Sequence, residues 1–84
     1  MKAVLTYETG HASMEEIMRI FPQHKEYLEN FKINHVIYGI APFKDRKGSM
    51  GIFADTQSAE EFAANDPFVI NGIAKNITIR EWVD

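Results

Sequence analysis

Apolar and polar positions alternate from Lys2 to Tyr7, which predicts a strand. Ala3, Leu5 and Tyr7 point one way; Lys2, Val4 and Thr6 point the other. After the loop at Thr9-Gly10-His11-Ala12 the period changes. Ser13, with Glu16 three residues on, has the spacing of a capping box, and Ile17, Ile20 and Phe21 give the helix behind it a buried side. Pro22 has no N–H to donate inside a helix, so the pattern predicts that it opens a second helix at its first position. From there His24, Tyr27, Leu28 and Phe31 fall at i, i+3, i+4 and i+7 on one face, and the pattern fades near Ile33-Asn34.

Val36 to Phe43 reads as a second strand, with Val36, Tyr38 and Ile40 on one face and Ile37, Gly39 and Ala41 on the other. Pro42 ends it or marks an edge. The charged loop Lys44 to Gly48 leads into a third strand, Ser49 to Asp55, where Met50, Ile52 and Ala54 oppose Gly51 and Phe53. Ser58 and Glu61 form another capping-box pair, with Phe62 and Ala63 turned inward. Ile73 to Val83 is the last strand, with Ile77, Ile79 and Val83 opposite Thr78, Arg80 and Trp82. Counting the broken first helix as one unit, the order is βαββαβ. It predicts one α+β domain over residues 1–84, a ferredoxin-like sandwich with helices on one face of an antiparallel sheet. The first three strands carry sizeable apolar residues on both faces, so the sheet needs a second cover. A second copy is the simplest one, packed sheet to sheet or through strand edges, which makes a homodimer the expected assembly.

One stretch does not belong to this alternation. Asp66-Pro67-Phe68-Val69-Ile70-Asn71-Gly72 places a carboxylate directly before a proline and an apolar wall. Asp66 is expected to cap a turn there, Pro67, Phe68 and Gly72 to shape a pocket, and Gly72 to take positive φ. The matching polar group is His24, on the apolar face of its helix. If the two meet, the carboxylate holds the imidazole tautomer and the free ring nitrogen exchanges a proton with a ligand. Tyr7 and Tyr38 are candidates to line the cleft and donate a hydrogen bond, with Pro42 at its edge. Histidines on apolar faces are more often hydrogen-bonded core residues, and Asp before Pro is a common capping device. Two classes of function therefore stand side by side: an acid/base enzyme, and a ligand-binding or interaction module whose His–Asp pair is structural. Solvent access to the pair separates them.

Composition narrows the field. A formal charge of -3 makes nucleic acid and anionic membrane poor partners. The RNA-recognition motif shares the βαββαβ order, but its stacking rings would fall at Ser49 and Gly51. The absence of cysteine removes disulfides, thiolate nucleophiles and cysteine-based zinc sites, and fits a cytoplasmic protein. No apolar run reaches the roughly 18 residues of a membrane span, and Glu8 interrupts the opening stretch too soon for a signal peptide. His11, His24 and His35 lack metal-binding spacing, and no Walker loop, G-x-G-x-x-G or nucleophile elbow occurs, so neither metal nor cofactor is expected.

The ordered set of His24 in the first long helix, Gly39-Ile40-Ala41-Pro42, Gly51-Ile52-Phe53-Ala54-Asp55 before Ser58-Ala59-Glu60-Glu61, Asp66-Pro67-Phe68-Val69 with Gly72, and Trp82 in the closing strand resembles the YCII-related (YciI-like, or DGPF) family over nearly the whole length. The resemblance implies a ferredoxin-like fold that pairs into a dimeric α/β barrel. It also implies an active site on a histidine and an aspartate, by position His24 and Asp66. Related proteins act on ring compounds by isomerisation or dehydrohalogenation. Where many members carry an arginine three residues before the histidine, this chain has Phe21; the usual Gly-Pro ending the second strand is Ala41-Pro42, and the second helix is about one turn shorter. The expectation is a cofactor-independent, isomerase- or lyase-like acid/base enzyme for a small organic compound.

Overall fold

The computed structural model describes residues Met1–Asp84. Its elements are β1 (Lys2–Thr9), α1 (Met14–Asn34), β2 (Ile37–Pro42), β3 (Gly48–Phe53), α2 (Thr56–Asn65), α3 (Pro67–Ile70) and β4 (Ala74–Trp82). The strands form one antiparallel sheet in the order β2-β3-β1-β4. This is the α+β, ferredoxin-like arrangement the pattern predicts, with the crossovers made by α1 and by α2–α3. No helix is long and apolar enough to cross a membrane.

The core lies between the sheet and the helices. Ala3, Leu5 and Tyr7 of β1 and Phe53 of β3 meet Ala59, Phe62 and Ala63 of α2, and Tyr27, Leu28 and Phe31 of α1 pack against the same cluster. Phe62 sits at its centre, edge-on to Phe31 and tilted against Tyr27 and Phe53, with ring centroids between 5.1 and 5.3 Å apart. Such geometries add to the stabilisation that burial alone gives.

The structure corrects the sequence pattern in four places. First, α1 runs unbroken through Pro22. The missing N–H deprives the Met18 carbonyl of its helical partner, at a point where both residues are exposed. The apolar stripe Ile17, Ile20, His24, Tyr27 and Phe31 also stays in register across the proline, so packing holds both halves on one axis. Phe21 falls off that stripe and is 46% exposed. Second, α2 starts at Thr56 because Asp55, not Ser58, is its cap: the Asp55 carboxylate accepts from the Ser58 amide at 2.7 Å. The Asp55 carboxyl is held below its usual range by that hydrogen bond. Third, a bulge between Ile37 and Gly39 breaks the alternation of β2, and Ile37 and Ile40 both pack on the helix side while Tyr38 is exposed. Fourth, a bulge between Thr6 and Glu8 shifts β1 against β4, with Asn76 at φ 52 absorbing the change. Ile77 and Val83, grouped with Ile79 by alternation, are exposed, while Ile79 packs against the core.

The second face of the sheet has no cover within one chain. The register puts Val4, Ile52, Arg80, Thr6, Met50 and Thr78 together there. Lys2 lies between Tyr38 and Trp82, its ammonium 4.8 and 5.8 Å from the two ring centroids.

The β2–β3 hairpin enters the sheet at Gly48, which is buried opposite Glu8. A Cβ at this position would collide with the Tyr7 carbonyl oxygen, a backbone atom that cannot swing aside. Gly48→Ala is expected to cost about 2 kcal/mol or more, seen as a fall in Tm on the order of 10 °C in calorimetry. An unchanged Tm would show that the two strands separate freely.

Candidate active site

The Asp66–Gly72 stretch folds as a single capped helical turn. Asp66 ends α2 and is the N-cap of α3, its Oδ1 accepting from the Phe68 amide at 3.0 Å. Pro67 takes the first helical position, where no N–H is needed. At the other end the Ile73 amide donates to the Phe68 carbonyl and the Gly72 amide to the Val69 carbonyl. With Gly72 at φ 73, this is the Schellman ending that glycine permits. The local sequence thus dictates where the Asp66 carboxylate points.

It points at α1. Asp66 is fully buried, and its Oδ1 lies 2.7 Å from His24 Nδ1. Because Oδ1 also accepts the Phe68 N–H, it is the acceptor in both bonds and His24 Nδ1 is the donor. The imidazole therefore carries a proton on Nδ1, which in the neutral ring leaves the lone pair on Nε2. Phe68 stacks on the ring at 4.3 Å with planes 19° apart, and Phe62 stands edge-on to it at 6.3 Å. Orientation and tautomer are fixed together. Asp66 Oδ2 is the one buried side-chain polar atom without a partner, so its charge remains strongly felt nearby.

Nε2 has no hydrogen-bond partner in the protein and is not sealed in, since Asp66 Oδ2 alone is both buried and unpaired. His24 lines a cleft of about 730 Å3 between the first half of α1 and the β2–β3 hairpin. Tyr7, Pro42 and Phe68 line it too, with Met18, Phe21, Leu28 and Ile40 among its apolar wall. Tyr38, Pro67 and Gly72 do not. The β2 bulge leaves Tyr38 beside Lys2 rather than the cleft, while Pro67 and Gly72 start and end α3 and act on the site through Phe68 and Asp66. Composition alone could not nominate Phe21 and Phe43, yet both belong to the wall. A smaller depression of about 390 Å3 beside Glu8, Asp45 and Asn76 lies away from His24.

Tyr7 is a phenol that keeps its proton. Burial first, and then the Asp66 charge, push it up to about 12, with Ser49 pulling the other way. Tyr27 is pushed up to about 12 by burial, Asp66 and Glu61, and donates to the Phe62 carbonyl at 3.0 Å. The remaining histidines are elsewhere. His11 is exposed, and His35 stacks on Phe31 and bonds to Glu61. No three His, Asp or Glu side chains converge as a metal-sized set.

Sheet order and helix placement define a ferredoxin-like α+β domain, with the cleft on its helix side. The chain belongs to the YCII-related domain family, whose model matches residues 1–83. Among solved structures it is similar to 5-chloro-2-hydroxyhydroquinone dehydrochlorinase from Burkholderia phenoliruptrix AC1100, in complex with 2,5-dihydroxybenzoquinone. The TM-score is 0.80 at 22% identity, covering 99% of this chain and 94% of that one. That likeness is one of fold. No curated protein matches the chain significantly.

The two raised phenols make stability depend on alkali. Unfolded tyrosine ionises near about 10, whereas Tyr7 and Tyr27 do so at about 12. The folded state thus holds more protons in that window, and stability falls as pH rises through it. The contribution is intact below about pH 10 and gone above about pH 12; for buried Tyr7 it amounts to roughly 3 kcal/mol. Urea unfolding between these limits should show the decline, and Tyr7→Phe should flatten it. An equally steep decline in Tyr7→Phe would show that Tyr7 is not a source.

Proposed function

We propose that the protein is a cofactor-independent acid/base enzyme, isomerase- or lyase-like, acting on a small ring compound. His24 is the proton carrier and Asp66 its orienter. The observation that carries this reading is the division of the imidazole: Nδ1 is bonded to a fully buried carboxylate, while Nε2 is unpartnered on a ring that lines a cleft. A pair that only braces the fold needs no open nitrogen on a cleft. The fold neighbour is an enzyme of ring compounds solved with a dihydroxybenzoquinone, which supports the substrate class.

In this reading Nε2 takes a proton from a ring hydroxyl or from a carbon beside a carbonyl. Negative charge moves to the ring oxygen, where Tyr7, protonated at every physiological pH, donates a hydrogen bond. The proton then returns to another carbon, giving isomerisation, or a leaving group departs, giving elimination. Asp66 keeps the imidazolium in place throughout. The cysteine-free composition fits a cytoplasmic setting for this chemistry.

The test is turnover of a panel of hydroxylated quinones and chlorinated hydroquinones, with exchange of ring hydrogen for deuterium read by NMR. His24→Gln should fold, bind the active probe and lose about 10²- to 10⁴-fold in rate. Turnover at the parental rate would sink the assignment.

The reading also includes a homodimer in the manner of a dimeric α/β barrel, each copy covering the other's open sheet face. Light scattering should give twice the 9.6 kDa of one chain. Ile52→Asp, placing a charge on that face, should give a folded monomer; an undisturbed dimer would move the interface elsewhere.

A further inference from the structure

The apolar wall and His24 account for only part of the cleft lining. Its charged members are Lys25, Lys44 and Arg46 against the single carboxylate of Glu29. None of the three cations takes part in an ion pair; those of the protein are Lys2–Asp84, His24–Asp66 and His35–Glu61. The nearby carboxylate of Asp45 is turned to the Lys47 amide at 2.9 Å and does not line the cleft. In a chain of net charge -3, an excess of unpaired cations gathered at one apolar cleft is a local reversal of sign.

The two sides of this rim come from separate elements. Lys25 follows His24 on α1, and Lys44 and Arg46 sit in the tip of the β2–β3 hairpin. That tip is an ordered turn: the Arg46 amide donates to the Phe43 carbonyl at 3.0 Å and the Phe43 amide to the Gly48 carbonyl at 2.8 Å. Arg46 holds φ 62, a conformation that disfavours arginine and would suit glycine or asparagine. Phe21, Phe43 and Phe68 supply flat apolar surface beside these charges.

We infer that the cleft selects a planar ring bearing an anionic substituent, with the ring against the aromatic wall and the anion held by Lys25, Lys44 and Arg46. The inference rests on the reading of the His24 cleft as the substrate site and adds the charge of the substrate to it. A carboxylate or phenolate oxygen is the chemistry that meets both lysine ammonium and arginine guanidinium. The anion is engaged at the mouth, while the opposite edge of the ring reaches Nε2 of His24.

The test uses a matched pair of probes, 2,5-dihydroxybenzoate and 2,5-dihydroxybenzamide, which share a ring and differ in charge. Binding is followed by NMR titration of the whole protein, in parental form and as Lys25→Gln, Lys44→Gln and Arg46→Asn; asparagine tolerates the turn conformation. The parental protein should bind the benzoate more tightly than the amide, and added salt should erase the difference. Each substitution should weaken the benzoate about two- to fivefold, and all three together about tenfold or more, with the amide unchanged. Equal binding of the two probes, or equal losses for both on substitution, overturns the inference. His24→Gln separates it from the proposed function. That variant should keep the charge preference while losing turnover. Preference kept with turnover intact would reject the acid/base role alone; turnover of neutral rings without any preference would reject this inference alone.

Discussion

One hydrogen bond, from His24 Nδ1 to Asp66 Oδ1, joins the two crossovers of this fold across 42 positions of sequence. On one side it reaches the middle of α1; on the other it reaches the junction of α2 and α3, where the same oxygen caps the short helix. The carboxylate is therefore a joint of the fold before it is part of any chemistry. Burial makes the interaction exacting. Without His24 the fully buried Asp66 would lose one of the two hydrogen bonds to its Oδ1, and leaving a buried acceptor short of its partner costs about 1–3 kcal/mol. Amide and imidazole replacements that keep shape therefore inform about function, whereas truncation to alanine measures stability as well.

This coupling explains why the meeting of His24 and Asp66 could be read from sequence. The Asp-Pro-Phe…Gly run has only a few backbone solutions, each residue answering a local need: a cap, a position without N–H, and a positive φ. His24 was visible for the complementary reason, a polar group in an apolar stripe of helical period. The element order and the grouping of Ala3, Leu5 and Tyr7 on one side of β1 followed from the pattern in the same way. What alternation could not reveal was each place where one residue changes the count. The bulge in β2 moves Tyr38 out of phase, and with it out of the cleft; the bulge at Asn76 does the same to Ile77. Bulges are set by pairing partners and not by local composition. Pro22 misled differently: its local penalty is real, but the heptad-like spacing from Ile17 to Phe31 carried more information than the proline did.

The cleft exists because sheet and helices differ in reach. The Pro42–Gly48 end of the hairpin projects beside the first turns of α1, where Met14, Met18 and Phe21 stay exposed instead of closing onto the sheet. Gly48 allows the hairpin to run tightly against β1, and the left-handed Arg46 closes its tip. The wall is thus made from residues that a tighter core would have buried. An opening between packed layers is a general way for a small domain to hold a ligand without dividing its core.

A shared fold does not by itself transmit an activity, and 22% identity to a dehydrochlorinase leaves chemistry to be argued from this chain's own atoms. Those atoms separate two roles by depth. Inside, Asp66, Phe62 and Phe68 hold the imidazole with little freedom, which suits a proton transfer that must be repeated in one geometry. Outside, lysines on flexible stems surround the opening, which suits capture of differing anions more than precise alignment. Between the two lie Tyr7, Leu28, Ile40 and Phe43, the part of the cleft lining to which the proposed reading would assign selectivity for a ring. If the proposed acid/base role holds, changing this middle layer while keeping the inner pair should alter the compound bound and leave the His24–Asp66 geometry as it is.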